Sequence, residues 1–75
     1  MAILLRFEKV REDSREVEYA FGPEKMDRRL VIEKASQQGC PIDQRSDQQF
    51  AAVFVKILRF HRTEGTWPER GAYSA

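Results

Sequence analysis

Two side chains in the sequence have the chemistry for catalysis, but neither has the neighbours that catalysis requires. His61 is the only histidine and could act as a general base, since imidazole titrates near neutral pH. Cys40 is the only cysteine and stands in a Gly-Cys-Pro turn, where an exposed thiol could be nucleophilic or redox-sensitive. No nucleophile or orienting carboxylate stands at a recognisable spacing from either. We therefore interpret His61 as a partly buried helix residue and Cys40 as an incidental loop thiol.

Motifs that identify enzymes are absent from the sequence. It contains no Gly-rich phosphate loop, no HExxH sequence, no nucleophile elbow and no cluster of metal-ligating residues. We expect no catalytic residues, no bound metal and no cofactor. The expectation is a non-enzymatic protein.

Basic residues are grouped at two places. Lys56, Arg59 and Arg62 recur at helical spacing, and such a stripe could contact phosphates. We call these three residues the basic helix face and favour a solvated surface for it. A second charged cluster at residues 27–29 could bind an anion, or could guard a strand against unwanted edge pairing, which we favour.

Aromatic residues in the C-terminal third predict an interaction surface. Residues 66–73 contain Trp67 and Tyr73 around a proline and a glycine, and a segment that stays in water has no need of them. This tail could dock on its own domain or on a neighbouring molecule. Together with Phe54 and Phe60, the two aromatic residues form the predicted protein interface.

Three strands and one helix must position these residues. Alternating apolar residues predict strands at about 2–10 and 16–21, with Ile3, Leu5 and Phe7 on one face of the first. Residues 29–35 predict a third strand, although residues 24–37 could instead form a helix that begins at Pro23. Residues 36–47 are expected to be a polar loop.

A long amphipathic helix is predicted at about 47–64, followed by a tail at 65–75. Ser46 is the expected N-cap, with Gln49 completing a capping box, and Gly65 is the expected C-terminal stop. The apolar arc of this helix covers about 220°, far more than the ~100° that packing on one side requires. Either the tail or a second copy of the protein must cover the remainder.

Length and composition limit the remaining possibilities. The chain has 75 residues, 41% of them hydrophobic, which suffices for one small core but not for two. The net charge is only +1 and the charges are mixed along the chain, so general binding to nucleic acid or to a membrane surface is not expected. The apolar start of the chain is too short for a signal peptide or a membrane span, and one unpaired cysteine favours the cytoplasm.

Two stretches, residues 19–35 and residues 56–71, carry the motifs YAFGPEKMDRRLVIEKA, KILRF and WPERG. In these stretches the chain resembles a set of short uncharacterised proteins of actinomycetes. The resemblance covers about half of the chain and implies a bacterial, cytoplasmic, stand-alone protein. It implies no activity and no catalytic or binding residues.

The sequence as a whole predicts a single α+β domain at residues 1–75, a three-stranded antiparallel β-meander packed by one C-terminal helix. We expect a protein-interaction module that self-associates, as a homodimer, through the wide helix face and the tail. The alternative is a small nucleic-acid-binding or regulatory protein that uses the basic helix face. Another protein as partner remains open.

Overall fold

The computed structural model describes residues 4–74. They form five antiparallel strands and one helix, which confirms the α+β class. The first two strands are β1 (Leu4–Glu12) and β2 (Glu16–Gly22), as their alternation predicted. Leu5 and Phe7 point into the core from β1. The predicted place of Ile3 beside them lies outside the described residues.

The third segment is a strand and not a helix. β3 (Arg28–Glu33) pairs with β2 along its whole length. Leu30 and Ile32 are fully buried, whereas Val31 lies on the opposite face of the sheet and is half-buried. Burial at every second residue is the strand period, whereas a helix would bury residues three and four positions apart.

The prediction of a polar loop at residues 36–47 is wrong in part, because a fourth strand lies within that range. β4 (Gln38–Pro41) pairs antiparallel with β3 after a turn in which Gln37 adopts a positive φ of 57°. The ring of Phe54 packs directly against the backbone of Gly39. A Cβ atom on residue 39 would lie only 2.6 Å from the Cε1 atom of Phe54. The strand depends on this close approach and not on large apolar side chains of its own.

The helix has the expected length, but its N-cap differs from the prediction. α1 spans Gln48–Glu64, and Asp47, not Ser46, caps it by accepting a hydrogen bond from the Phe50 N–H at 3.0 Å. Asp47 has an extended backbone and a carboxylate that also binds Arg28, so the cap lies one residue later. Gly65 ends the helix in the left-handed conformation (φ 77°), as predicted.

The C-terminal segment is also a strand, where the sequence predicted only a tail. β5 (Arg70–Ser74) pairs antiparallel with β1 and completes a sheet with the strand order β4-β3-β2-β1-β5. The three-stranded meander is thus the middle of a five-stranded sheet. In the chain, α1 connects β4 to β5, the two edge strands, and it crosses one face of the sheet.

The core lies between that face and the helix. Phe50, Val53 and Ile57 of α1 pack against the apolar residues of β1, β2 and β3. The opposite face of the sheet, which we call the open face, has no helix over it in the described part of the chain. It carries charged side chains such as Arg11, whose guanidinium is ion-paired with Glu16 and Glu18.

Candidate interaction surface

A groove lies between the side of the helix and the edge strand β5, and we call it the α1–β5 groove. It has a volume of about 340 Å³. The residues that line it are Val55, Lys56, Arg59, Phe60, Thr63, Glu64 and Tyr73. Phe60 is 41% exposed and Tyr73 is half-buried. Two accessible aromatic side chains beside a strand edge are an arrangement by which proteins bind other proteins.

The two edges of the sheet differ in how readily they could accept another strand. β4 has four residues and ends in Pro41, whose nitrogen cannot donate a hydrogen bond. β5 has five residues and no proline. Because prolines and very short strands discourage edge pairing, β5 is the more receptive edge. The α1–β5 groove lies directly beside it.

Two hydrogen bonds fix the segment that leads into β5 to the rest of the sheet. The hydroxyl of Tyr19, a fully buried residue, donates a hydrogen bond to the Pro68 carbonyl at 2.6 Å. Burial raises the pKa of Tyr19 far above its ordinary value, so the hydroxyl stays protonated and remains a donor. The Lys9 N–H donates to the Glu69 carbonyl at 2.7 Å. The edge strand therefore begins at a rigid anchor.

The four residues of the predicted interface fall into two groups. Phe60 and Tyr73 line the α1–β5 groove. Phe54 stacks on Phe50 with ring centroids 5.6 Å apart and covers Gly39. Trp67 is only 9% exposed and belongs to the core cluster, so the tail docks on its own domain.

The basic helix face is solvent-exposed along the outer side of α1. Among residues 4–74, none of its three side chains has a carboxylate within 4.0 Å. Lys56 and Arg59 border the α1–β5 groove, and Glu64 is an acidic residue of the same lining. The groove thus carries both signs of charge around its aromatic residues.

His61 and Cys40 are not brought together by the fold. His61 stacks on Trp67 with ring centroids 4.0 Å apart, and its Nδ1 atom is buried without a hydrogen-bond partner among the described residues. Cys40 lies on β4, where its pairing with Val31 places it on the open face. The helix packs on the other face, so the arrangement provides no thiol–imidazole pair.

Arg28 holds the loop before the helix in place, a role that the sequence did not predict. Its guanidinium binds the carboxylates of Asp43 and Asp47, each at 2.9 Å, and lies over the Phe21 ring. The pKa of Asp43 is lowered by Arg28 and by the Arg45 N–H. The pKa of Asp47 is lowered by the Phe50 N–H and by Arg28. Of the cluster at 27–29, Arg28 therefore stabilises the fold.

Neither a cluster of metal-ligating side chains nor a membrane-spanning helix occurs within residues 4–74. No group of three or more histidine, cysteine or acidic side chains there is arranged to hold a metal ion. No helix in the same range has the length and apolar character needed to cross a membrane.

Comparisons with protein-family models, with curated proteins and with solved structures gave no match to this chain. The resemblance to short actinomycete proteins therefore stays a prediction. The function must be inferred from the surface itself.

Proposed function

We propose that this protein is a non-enzymatic interaction module that self-associates through the α1–β5 groove and the adjoining edge of β5. The observation that carries the proposal is the exposed Phe60 beside Tyr73, next to a strand edge with no partner among the described residues. Burial of such aromatic anchors supplies much of the energy of protein interfaces.

The width of the helix's apolar arc supports the same surface. Core packing buries Phe50, Val53 and Ile57, while Val55 and Phe60 stay exposed. The C-terminal segment covers only part of the arc, because Trp67 packs on the His61 side of the helix. A second molecule would cover the side that faces the groove.

The proposed surface is narrower than the sequence suggested. Trp67 and Phe54 are engaged within the domain, so their removal would damage the fold before it affected any contact. Phe60 and Tyr73 remain as anchors, and Lys56 and Arg59 lie beside them. A cytoplasmic location stays a prediction that rests on the single cysteine.

The experiment is light scattering after size exclusion over a series of concentrations. We expect the wild-type mass to rise from 8.8 kDa toward twice that value as concentration increases. Phe60→Asp should remain at 8.8 kDa, because a carboxylate cannot be buried in an apolar contact without a large cost.

Val10→Asp is the matched control. Val10 is 46% exposed and is therefore about as accessible as Phe60. It lies outside the groove, at a β-bulge where the pairing of β1 with β2 shifts register. It should associate like the wild type. A wild-type protein that stays monomeric at every concentration, or association that is lost in Val10→Asp and kept in Phe60→Asp, would contradict the proposal.

A further inference from the structure

Three residues of the α1–β5 groove form a stripe that is complementary to itself. Lys56, Phe60 and Glu64 follow one another at intervals of four residues, so they lie along a single ridge of the helix. Phe60 is in the middle, with a positive charge one turn before it and a negative charge one turn after it. Rotation by 180° about Phe60 exchanges the positions of the two charges.

Neither charge is neutralised within the described chain. Among residues 4–74, no ion pair includes Lys56 or Glu64, and both side chains are exposed. Elsewhere in the molecule, acidic and basic residues do pair: Lys9 with Glu12, for example, at 2.6 Å. The stripe is thus available for a partner of the same charge pattern.

The sheet supplies the matching symmetry. Two antiparallel strands are related by a two-fold axis perpendicular to the sheet, so pairing β5 with the β5 of a second copy makes a two-fold contact. The second helix then lies on the same face and runs antiparallel to the first. Because α1 approaches β1 and β5 closely, the side of each helix that lines the α1–β5 groove then faces the axis.

We propose that the occupant of the α1–β5 groove is a second copy of this chain, bound across a two-fold axis that joins the two β5 strands and pairs Lys56 of each copy with Glu64 of the other. This inference rests on the proposed function and specifies its geometry. Phe60 of each copy packs against Phe60 of the other at the axis. The two sheets become one continuous ten-stranded sheet.

The charges favour a second copy over an unrelated acidic peptide. An acidic peptide would satisfy Lys56 and Arg59 but would be repelled by Glu64. The two-fold arrangement uses both signs at once. It also buries Phe60 against an identical ring, with Tyr73 beside the strand edge.

The test uses charge reversal and mixing. Lys56→Glu gives a chain with acidic residues at both ends of the stripe, and Glu64→Lys gives a chain with basic residues at both ends. Each variant alone should dimerise about tenfold or more weakly than the wild type at low salt, since both contacts become repulsive. An equimolar mixture should form a heterodimer within about threefold of wild-type affinity, because both contacts are again of opposite sign.

Lys25→Glu and Glu24→Lys are the controls. They change the net charge by the same amounts, in the exposed turn between β2 and β3, and should leave the dissociation constant unchanged. Circular dichroism verifies that every variant folds. Sedimentation gives the dissociation constants, and native mass spectrometry distinguishes the heterodimer from both homodimers.

Rescue by mixing supports the arrangement. Failure of the mixture to associate, or charge reversals without effect, overturns it. If Phe60→Asp still abolishes association in that case, the proposed function survives and only the geometry is wrong. A wild-type chain that never dimerises overturns both.

Discussion

Removal of one hydroxyl should loosen the whole C-terminal segment. Tyr19→Phe keeps the ring, which packs edge-on against Phe7 at 5.8 Å between centroids, but removes the donor to the buried Pro68 carbonyl. A buried acceptor that loses its partner costs about 1–3 kcal/mol. Taking about 1.5 kcal/mol, the melting temperature should fall by about 6–12 °C for a domain of this size.

The assay combines thermal unfolding with amide hydrogen exchange. The Lys9 N–H is a local reporter, because it donates to the carbonyl of Glu69, the residue after Pro68. In Tyr19→Phe, the exchange rate of the Lys9 amide should increase by a larger factor than the exchange rates of the amides that join β2 and β3. Tyr73→Phe removes a hydroxyl from a half-buried site and should shift the stability by less than about 0.5 kcal/mol. Equal stability of Tyr19→Phe and wild type, with unchanged Lys9 exchange, would show that the Tyr19 hydroxyl does not hold the C-terminal segment in place.

Three further predictions concern the cap, the edge strand and the alternative function. The lowered pKa of Asp47 gives stability that is complete above the ordinary value of 3.8 and is lost as pH falls through the folded pKa. Asp47→Asn should therefore have a lower free energy of unfolding than the wild type at neutral pH, and urea titrations should show that it loses less of that free energy on acidification. An acid-induced loss equal to that of the wild type would contradict this. Gly71→Ala should lower the free energy of unfolding by about 1–3 kcal/mol, because the new Cβ would lie 2.6 Å from Phe7 Cζ, and an unaffected urea midpoint would disprove that clash. Mixed DNA and RNA should show no mobility shift even at low salt, since the basic helix face belongs to a protein of net charge +1; binding that weakens steeply with salt would favour the nucleic-acid alternative.

Alternation and capping made most of the fold predictable. β1 and β2 alternate apolar and polar residues, β3 contains the run Leu30-Val31-Ile32, and α1 ends at a glycine. β4 and β5 were not predicted, because each strand has a glycine, and not an apolar side chain, at a position that faces the core. Gly39 accommodates Phe54, and Gly71 accommodates Phe7. Those contacts are long-range, and no local pattern in either strand indicates them.

The residues of the proposed interaction surface could be identified only in part from the sequence. Aromatic content indicated Phe60 and Tyr73, but the same criterion selected Trp67, which is buried against His61. Burial of one aromatic residue and exposure of another depend on the path of the chain after Gly65. The self-complementary pattern of Lys56 and Glu64 around Phe60 was present in the sequence but has meaning only beside a strand edge that no other described strand pairs with.

The proposed dimer can be tested directly by an isotope-filtered nuclear Overhauser experiment on a mixture of labelled and unlabelled wild-type chains. We predict signals between copies from the Phe60 ring, together with signals between β5 strands. Signals between copies that arise instead from open-face residues such as Val10 and Val31, or no signals between copies even at the highest protein concentration, would contradict the proposed dimer.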